Sequence, residues 1–243
     1  MSITAILTLY RRPYTLPEQA AALTAQTVPA DNVWLWINHH PEIDEPPIPD
    51  PIQRTFRTDY NWKFYGRFAA ALLATTEYVA IFDDDAIPGS QWFENCLATM
   101  ESTPGILGTG GVRLSDRPYD FEVDKYGWVR PLTHSIEVDY VGQAWFFRRE
   151  WLQYLWYDAP ATWDNGEDMH FAYAARKYAG IRSYCPPHPP GRIELYGSTK
   201  GSIYDADEQA TSLTDPDFWN QRELSIAHYR SLGWRPGTWP GPK

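Results

Sequence analysis

The strongest constraint on the fold of this chain is an apolar run, Tyr78 to Phe82, that ends in three consecutive acids, Asp83, Asp84 and Asp85. Such a run has the length and pattern of a strand buried on both faces, as in parallel sheets covered by helices. Adjacent carboxylates at the end of a buried strand repel one another and resist desolvation unless a cation or hydrogen-bond donors neutralise them. The segment therefore predicts a divalent-cation site with oxygen ligands, Mn2+ or Mg2+ being the expected ion, or a solvated acidic turn before the helix that begins near Ser90.

Helix-forming stretches alternate with apolar, strand-length runs over the first half of the chain. Ile3 to Leu9 and Val33 to Ile37 have strand character and are separated by the helical stretch Leu16 to Ala25. A second helical stretch, Gly66 to Thr75, leads directly into the apolar run at Tyr78. This alternation predicts an α/β fold with a mostly parallel, Rossmann-like sheet and helices on both faces.

The second half of the chain is predicted to be less regular. We expect irregular β structure at Gly108 to Gly111 and at Glu137 to Phe147, followed by a short aromatic helix, Arg149 to Trp156. A further strand is expected at Ile181 to Cys185. We expect these segments to form one side of the binding site within the same domain.

Composition and charge exclude several classes of protein. With 43% hydrophobic residues among 243, the chain has enough apolar side chains for a large core, and extensive disorder is excluded. A formal net charge of -10 makes binding to nucleic acid through its phosphates unfavourable. Cys96 and Cys185 suggest no disulfide framework, and no apolar run is long enough to cross a bilayer. A cytoplasmic protein without a transmembrane segment is expected.

Polar residues follow several predicted strands at the point where each strand ends. Tyr10 and Arg11 follow the first strand, Asn38 follows the second, and the acidic triplet follows the run at Tyr78. Ligands of open parallel sheets bind beyond the carboxyl ends of the strands. The sequence therefore predicts that these segments converge on one binding rim.

A second acidic segment, with Asp164, Glu167 and Asp168, precedes the helical pattern Phe171 to Tyr178. The helix dipole and free backbone amides favour ionised acids at a helix N-terminus, where a carboxylate can accept a proton from a substrate hydroxyl. Ordinary helix capping by Asp164 or Asp168 is the alternative interpretation.

Three of these features together resemble a known family. The opening strand Ile3 to Leu9 with its following Tyr-Arg-Arg-Pro, the acidic triplet at the position of a D-x-D motif, and Gly166-Glu167-Asp168 before a helix resemble the GT-A fold glycosyltransferases. The likeness is to the family 2 type above all, and more loosely to the exostosin-like enzymes. It extends through His188 and implies metal-dependent transfer of a sugar from a nucleoside-diphosphate sugar, with a UDP-sugar expected, to a hydroxyl acceptor. A saccharide acceptor and inversion at the anomeric carbon are favoured.

The resemblance also implies roles for individual residues. Asp168 is the expected catalytic base, with Glu167 as its competitor, and the metal is expected on Asp85, Asp83 and His188. Trp145 and Trp163 are the candidates for stacking on the acceptor. The nucleotide-sugar is expected to contact a set of polar residues on the rim and a basic residue of a closing loop: Tyr10, Arg11, Arg12, Asn38, Asp59, Asn61, Arg67, Asp83, Asp84 and Lys200.

The same resemblance divides the continuous domain into a nucleotide-sugar half (1–112), an acceptor and catalytic half (113–205) and a C-terminal helix with its tail (206–243).

Three alternatives to this function stay open. A phage-type glycosyltransferase would modify hydroxymethylated bases in DNA, which the acidic balance disfavours. A nucleotidyltransferase would need a Gly-rich loop after the first strand, and that loop is absent here. A non-catalytic carbohydrate-binding protein would use the acids for a structural cation.

Overall fold

A nine-stranded sheet forms the centre of the computed structural model, which describes residues 1–114, 125–128, 130–200 and 207–235. Its strands, in chain order, are β1 (Ile3–Leu9), β2 (Asn32–Ile37), β3 (Arg54–Arg57), β4 (Tyr78–Phe82), β5 (Ile106–Val112), β6 (Lys125–Gly127), β7 (Ile136–Val138), β8 (Tyr140–Arg148) and β9 (Ser183–Cys185). The spatial order is β3-β2-β1-β4-β8-β5-β9-β7, and β6 pairs with β5.

Six of these strands run in one direction, and β6, β7 and β8 run in the other. The α-helices of the described residues are α1 (Leu16–Thr24), α2 (Gly66–Ala71), α3 (Trp92–Ser102), α4 (Glu167–Ala179), α5 (Thr211–Thr214) and α6 (Phe218–Ser231). The α/β fold class and the mostly parallel sheet are therefore confirmed.

Alternate residues of the central strands separate two layers of core. Ile3, Ala5 and Leu7 of β1 pack in one cluster with apolar residues of α1 and α3, whereas Ile6 packs in a second cluster with residues of α2 and α4. This alternation follows from the twofold side-chain period of a strand. Helices consequently cover both faces of the sheet, as the sequence predicts.

The prediction of irregular structure at Glu137 to Phe147 is wrong for most of that segment. Strand β8 is a regular, nine-residue strand, and it lies in the middle of the sheet, antiparallel to both β4 and β5. One irregularity interrupts its pairing with β5, between Gly108 and Gly110. Because β8 runs opposite to β4, its first residues lie at the edge of the sheet where β1, β2 and β4 end.

Smaller differences concern the ends of elements. The helix predicted over Gly66 to Thr75 ends at Ala71, and the strand predicted from Ile181 begins at Ser183. The aromatic segment Arg149–Trp156 is helical, with 3-10 geometry.

Both cysteines are buried and free, and no helix in the described ranges is long and apolar enough to cross a membrane. The predicted division into two halves and a tail stays a prediction, and its last residues, 236–243, lie outside the described chain.

An aromatic cluster joins α2 to the sheet and to α4. The Phe68 ring lies 5.5 Å from the Trp145 ring, 6.4 Å from Phe147 and 5.9 Å from Phe171, and Phe68 has no exposed surface. Packing of this kind fixes α2, and with it any polar side chain that α2 directs toward the rim.

We predict that Phe68→Ala lowers the free energy of unfolding by about 3–5 kcal/mol, because the lost ring leaves a cavity among three other aromatic side chains. Urea denaturation followed by circular dichroism measures this change. Leu73→Ala, at a residue that is 57% exposed just after the same helix, serves as the control and should change stability by less than about 1 kcal/mol. Equal losses in the two variants would contradict the packing described here.

Candidate functional site

A cleft of about 780 Å³ opens at the edge of the sheet where β1, β2 and β4 end. The start of β8, the N-terminus of α4 and residues of β6, α5 and α6 line its other sides. Positively charged side chains lining it are Arg11, Arg12, Lys63, Arg67, Lys125, Arg130 and Arg222, and the acids are Asp83, Asp84, Asp85, Glu167, Asp168 and Asp215. Charge is thus nearly balanced in the cleft, although the whole chain has a formal charge of -10.

The middle acid of the triplet points back into the protein. Asp84 accepts a hydrogen bond from the backbone N–H of Arg11 (3.0 Å) and another from the Arg12 guanidinium (2.7 Å), and it is 8% exposed. Arg12 also donates to Asp207 at 2.9 and 2.6 Å. Asp84 therefore holds the loop after β1 in place, while its predicted contact with a nucleotide-sugar stays a prediction.

Asp83 and Asp85 face the cleft instead. Asp83 pairs with Arg67 at 2.6 Å, and Asp85 lies 3.6 Å from Arg12 and accepts a weak hydrogen bond from Gln143 (3.4 Å). Burial raises the pKa of Asp83 well above its usual value, and burial together with the neighbouring Asp84 charge raises the pKa of Asp85 to about 6. Both carboxyl groups therefore hold a proton more readily than a carboxyl group in water.

Arg67 joins the acidic triplet to the second acidic segment. Its guanidinium contacts Asp83 through one nitrogen and Glu167 through another, at 2.6 and 2.8 Å, and lies over the Trp145 ring with 4.8 Å to its centre. Burial, followed by the Asp168 charge, raises the pKa of Glu167 to about 7. The predicted approach of Arg67 to a diphosphate stays a prediction, and in this structure the side chain is shared by two carboxylates.

Asp168 is held by Arg222, which lies on α6, the last described helix. Arg222 of α6 donates to both carboxylate oxygens of Asp168, at 2.8 and 3.3 Å, and is 4% exposed. The Asp168 carboxylate also accepts the backbone N–H of Met169 at 2.7 Å. Gly166, with φ of 80°, makes the left-handed turn that starts α4 and brings both acids to the cleft.

Three predicted nucleotide-binding residues are connected to one another. The Asn38 amide donates to Asn61 (2.7 Å), and the Asn61 amide donates to the Tyr10 hydroxyl (2.9 Å). The Asn38 amide oxygen accepts the backbone N–H of Trp62 at 2.9 Å, and the same Asn61 oxygen also accepts the backbone N–H of Lys63 at 2.8 Å. All three residues line the cleft, and their amides fix the conformation of the loop that carries Trp62.

Four predicted site residues do not line the cleft. Asp59 is exposed, Trp163 is 56% exposed, and Lys200 pairs with Glu18 at 3.4 Å. His188 is buried, with its ring nitrogens 2.9 and 2.8 Å from the carbonyl oxygens of Pro186 and Arg130. The closing loop predicted around Lys200 continues into residues 201 and 202, which lie outside the described chain. The ligand roles of these four residues stay predictions.

Trp145 lines the cleft, but only 2% of it is exposed, since Arg67 and Phe68 cover it. Across the described ranges, no group of three or more His, Cys, Asp and Glu side chains is arranged to hold a metal ion.

Sequence reasoning missed Arg222, Gln143 and Lys63. A signal for Arg222 does exist, because Arg222, Ser225, Ile226 and Tyr229 form the buried face of α6 at helical spacing. An arginine on the apolar stripe of a helix indicates a buried acidic partner elsewhere. Lys63 belongs to a cluster of basic residues that precedes the acidic triplet, and no comparable pattern marks Gln143.

No protein-family profile and no curated protein matches this chain. Solved structures of S. aureus TarS do match it. One structure of that protein aligns with a TM-score of 0.53 at 14% identity, covering 77% of this chain. The fold is that of a glycosyltransferase. The complex of TarS 1-349 with UDP aligns with a TM-score of 0.53 at 15% identity, and the complex with UDP-GlcNAc with 0.52 at 15%, each covering 77% of this chain.

This likeness extends over only part of TarS. The chain covers 35% of the length of the first TarS structure and 58% and 56% of the two complexes. At such low identity the glycosyltransferase fold is shown, whereas membership of family 2 stays a prediction. The GT-A architecture expected from the opening strand and the two acidic segments is confirmed.

We predict that Gly166→Ala destabilises the protein more than Gly191→Ala. Both glycines have left-handed backbones, with φ of 80° and 78°, so both substitutions cost roughly 1–2 kcal/mol from the backbone alone. A Cβ at position 166 would lie 2.6 Å from the Ser225 hydroxyl, whereas one at position 191 meets nothing within 4 Å. Urea denaturation of both variants measures the difference, and equal stabilities would show that α6 is not packed against this turn.

We also predict that ionisation of Glu167 makes the protein less stable as pH rises from 4.5, its ordinary pKa, to about 7, its pKa in the folded chain. The folded chain holds this proton more tightly than the unfolded chain, so the free energy of unfolding falls as the proton is lost. Glu167→Gln removes this contribution, and its melting temperature relative to the original chain should be roughly several degrees higher at pH 8 than at pH 5. Glu101→Gln, at an exposed position, is the control and should show no such trend.

Proposed function

We propose that this protein is a metal-dependent, cytoplasmic glycosyltransferase that moves a sugar from a UDP-sugar to a hydroxyl group of a saccharide. The observation that carries the proposal is the cleft itself, in which Arg67 brings the strand-end triplet and the Glu167–Asp168 pair to one site within a glycosyltransferase fold. Donor chemistry and acceptor chemistry need those two acidic segments in the same cleft.

The UDP donor is supported by the comparison with known structures. TarS 1-349 has been solved with UDP and with UDP-GlcNAc, and its fold matches 77% of this chain. The cleft also has suitable chemistry for a diphosphate, since Arg11 and Arg12 after β1 and Arg67 of α2 line it together with the carboxylates at the end of β4.

Asp83 and Asp85 fit a divalent cation. Both carboxylates face the cleft, and burial is the main cause of their raised pKa values, so a cation bound there would favour their ionised form. Mg2+ and Mn2+ accept one or two carboxylates together with substrate phosphate oxygens, so a site completed by the donor needs no third protein ligand. When bound, the ion would neutralise charge that develops on the departing diphosphate.

Asp168 is the proposed base, and Glu167 is the competing candidate. In a direct displacement, an acceptor oxygen forms a bond to the anomeric carbon as the bond to the diphosphate oxygen breaks, and the acceptor proton passes to the carboxylate. One such step inverts the anomeric centre, which is the outcome we propose. Arg222 keeps Asp168 in one orientation, and a positioned base contributes roughly two to four orders of magnitude in rate.

The proposal predicts that UDP raises the melting temperature only when Mn2+ is present. At a hundredfold excess over its Kd, UDP should stabilise the chain by about 2.7 kcal/mol, or roughly 5–10 °C. Asp85→Ala should abolish the shift, and Asp44→Ala, an exposed acid outside the cleft lining, should leave it unchanged. A shift that is independent of metal and of Asp85 would contradict the metal site.

A second variant separates binding from chemistry. Asp168→Asn should keep the UDP-dependent shift while release of UDP from UDP-GlcNAc falls by about a hundredfold or more, since an amide cannot accept the proton. Undiminished release of UDP by Asp168→Asn would instead assign the base to another group, with Glu167→Gln as the next variant to assay.

A further inference from the structure

Several large aromatic side chains are exposed beside the cleft. Tyr60 is 65% exposed, Trp62 is 52% exposed and Trp163 is 56% exposed. Trp62 lies between Asn61 and Lys63 in the sequence, and both of these residues line the cleft. Scattered exposed aromatics are common in proteins, but a group of them beside one opening indicates an interaction surface.

The segments that carry these side chains contact each other. The Tyr65 ring lies 5.0 Å from the Trp163 ring, and the Tyr65 hydroxyl donates to the carbonyl oxygen of Thr162 at 3.2 Å. Lys63 pairs with Asp164 at 4.0 Å. The loops that carry Trp62 and Trp163 therefore form one continuous side of the opening.

The start of α6 extends the same surface. The Phe64 ring lies 6.3 Å from the Phe218 ring, which in turn lies 5.0 Å from Trp219. Trp219 is 39% exposed and lines the cleft. Tyr60, Trp62, Trp163 and Trp219 are called the aromatic rim from here on.

The loop that presents Trp62 is held in a fixed, strained conformation. Lys63 has a left-handed backbone with φ of 51°, which is rare for a residue with a long side chain. The amides of Asn38 and Asn61 hold this turn through the backbone N–H groups of Trp62 and Lys63. A half-exposed ring on a turn held in this way loses little conformational entropy on binding, which favours recognition.

Charge on the aromatic rim selects the class of partner. Asp59 adjoins Tyr60 and Asp164 adjoins Trp163 in the sequence, and Lys63, which adjoins Trp62, is paired with Asp164. A polyanion such as DNA would be repelled there. Sugar rings present C–H faces to aromatic rings and hydroxyls to nearby polar groups, and they bring no charge.

We propose that the aromatic rim binds a neutral oligosaccharide, so that the acceptor of this enzyme is a chain of several sugar units with its reacting end in the cleft. This inference rests on the proposed function, because that function makes the cleft a sugar-transfer site. The units beyond the reacting end stack on Trp62 and Trp163, outside the residues that line the cleft.

The test is a binding screen of the full chain, with UDP and Mn2+ present, on oligomers of glucose, N-acetylglucosamine, galactose and mannose from one to six units long. Neutral oligomers of three or more units should bind and quench tryptophan fluorescence, and single sugars should not. Trp62→Ala and Trp163→Ala should each raise Kd about tenfold, as expected for the loss of one stacked ring. Trp62→Phe should keep most of the affinity.

Tyr157→Ala is the matched control, since Tyr157 is 53% exposed and does not line the cleft. It should bind the same oligomers with unchanged Kd.

If UDP binds and no oligomer does, or if the tryptophan variants bind as well as the original chain, the rim assignment is overturned and the proposed function stands. Binding of a single-stranded DNA oligomer that Trp62→Ala abolishes would overturn it in favour of nucleic acid. Oligomer binding in a chain that neither binds UDP nor hydrolyses UDP-GlcNAc would support the rim and overturn the transferase.

Discussion

The cleft depends on one buried cation shared between two acids. Arg67 is 4% exposed, contacts Asp83 and Glu167, and has a buried Nε without a hydrogen-bond partner among the described residues. Removing water from three charged groups is costly, and only their mutual attraction offsets that cost. Loss of Arg67 would leave two carboxylates inside the protein without the cation that joins them. This arrangement explains why the end of β4 and the start of α4 keep a fixed relation across the cleft.

Three neighbouring aspartates have different roles because each meets a different environment. Asp84 stabilises the loop after β1, whereas Asp83 and Asp85 face the cleft and resist ionisation. Acids that the protein leaves short of positive charge favour a ligand that brings it. Glu167 and Asp168 likewise have different partners, since Glu167 pairs with Arg67 and Asp168 pairs with Arg222.

Much of the architecture was predictable from periodicity. The strands at Ile3, Val33 and Tyr78 and the helix at Leu16 follow directly from apolar runs and helix-forming residues, and the carboxyl-end rule placed Tyr10, Asn38 and Asp83 to Asp85 around one cleft. The orientation of β8 was not predictable, since an apolar strand has the same pattern whether its neighbours are parallel or antiparallel.

Contacts that join distant segments were not predictable from the sequence either. The pairing of Arg222 with Asp168 depends on how α6 packs against α4, and the hydrogen bonds of Asn38 and Asn61 depend on a loop conformation with a left-handed lysine. Local sequence carries little information about either. Position at a strand end correctly brought Asn38 to the cleft, but it could not reveal which backbone groups its amide holds.

The place of α6 in the chain also bears on how the protein matures. It follows every other described element in the sequence, and it supplies the arginine that holds Asp168. A ribosome releases chains from the N-terminus onward, so the sheet and both acidic segments emerge first. Until α6 emerges, the nascent chain has an Asp168 without its cation, and the site becomes complete only after every other described element has been synthesised.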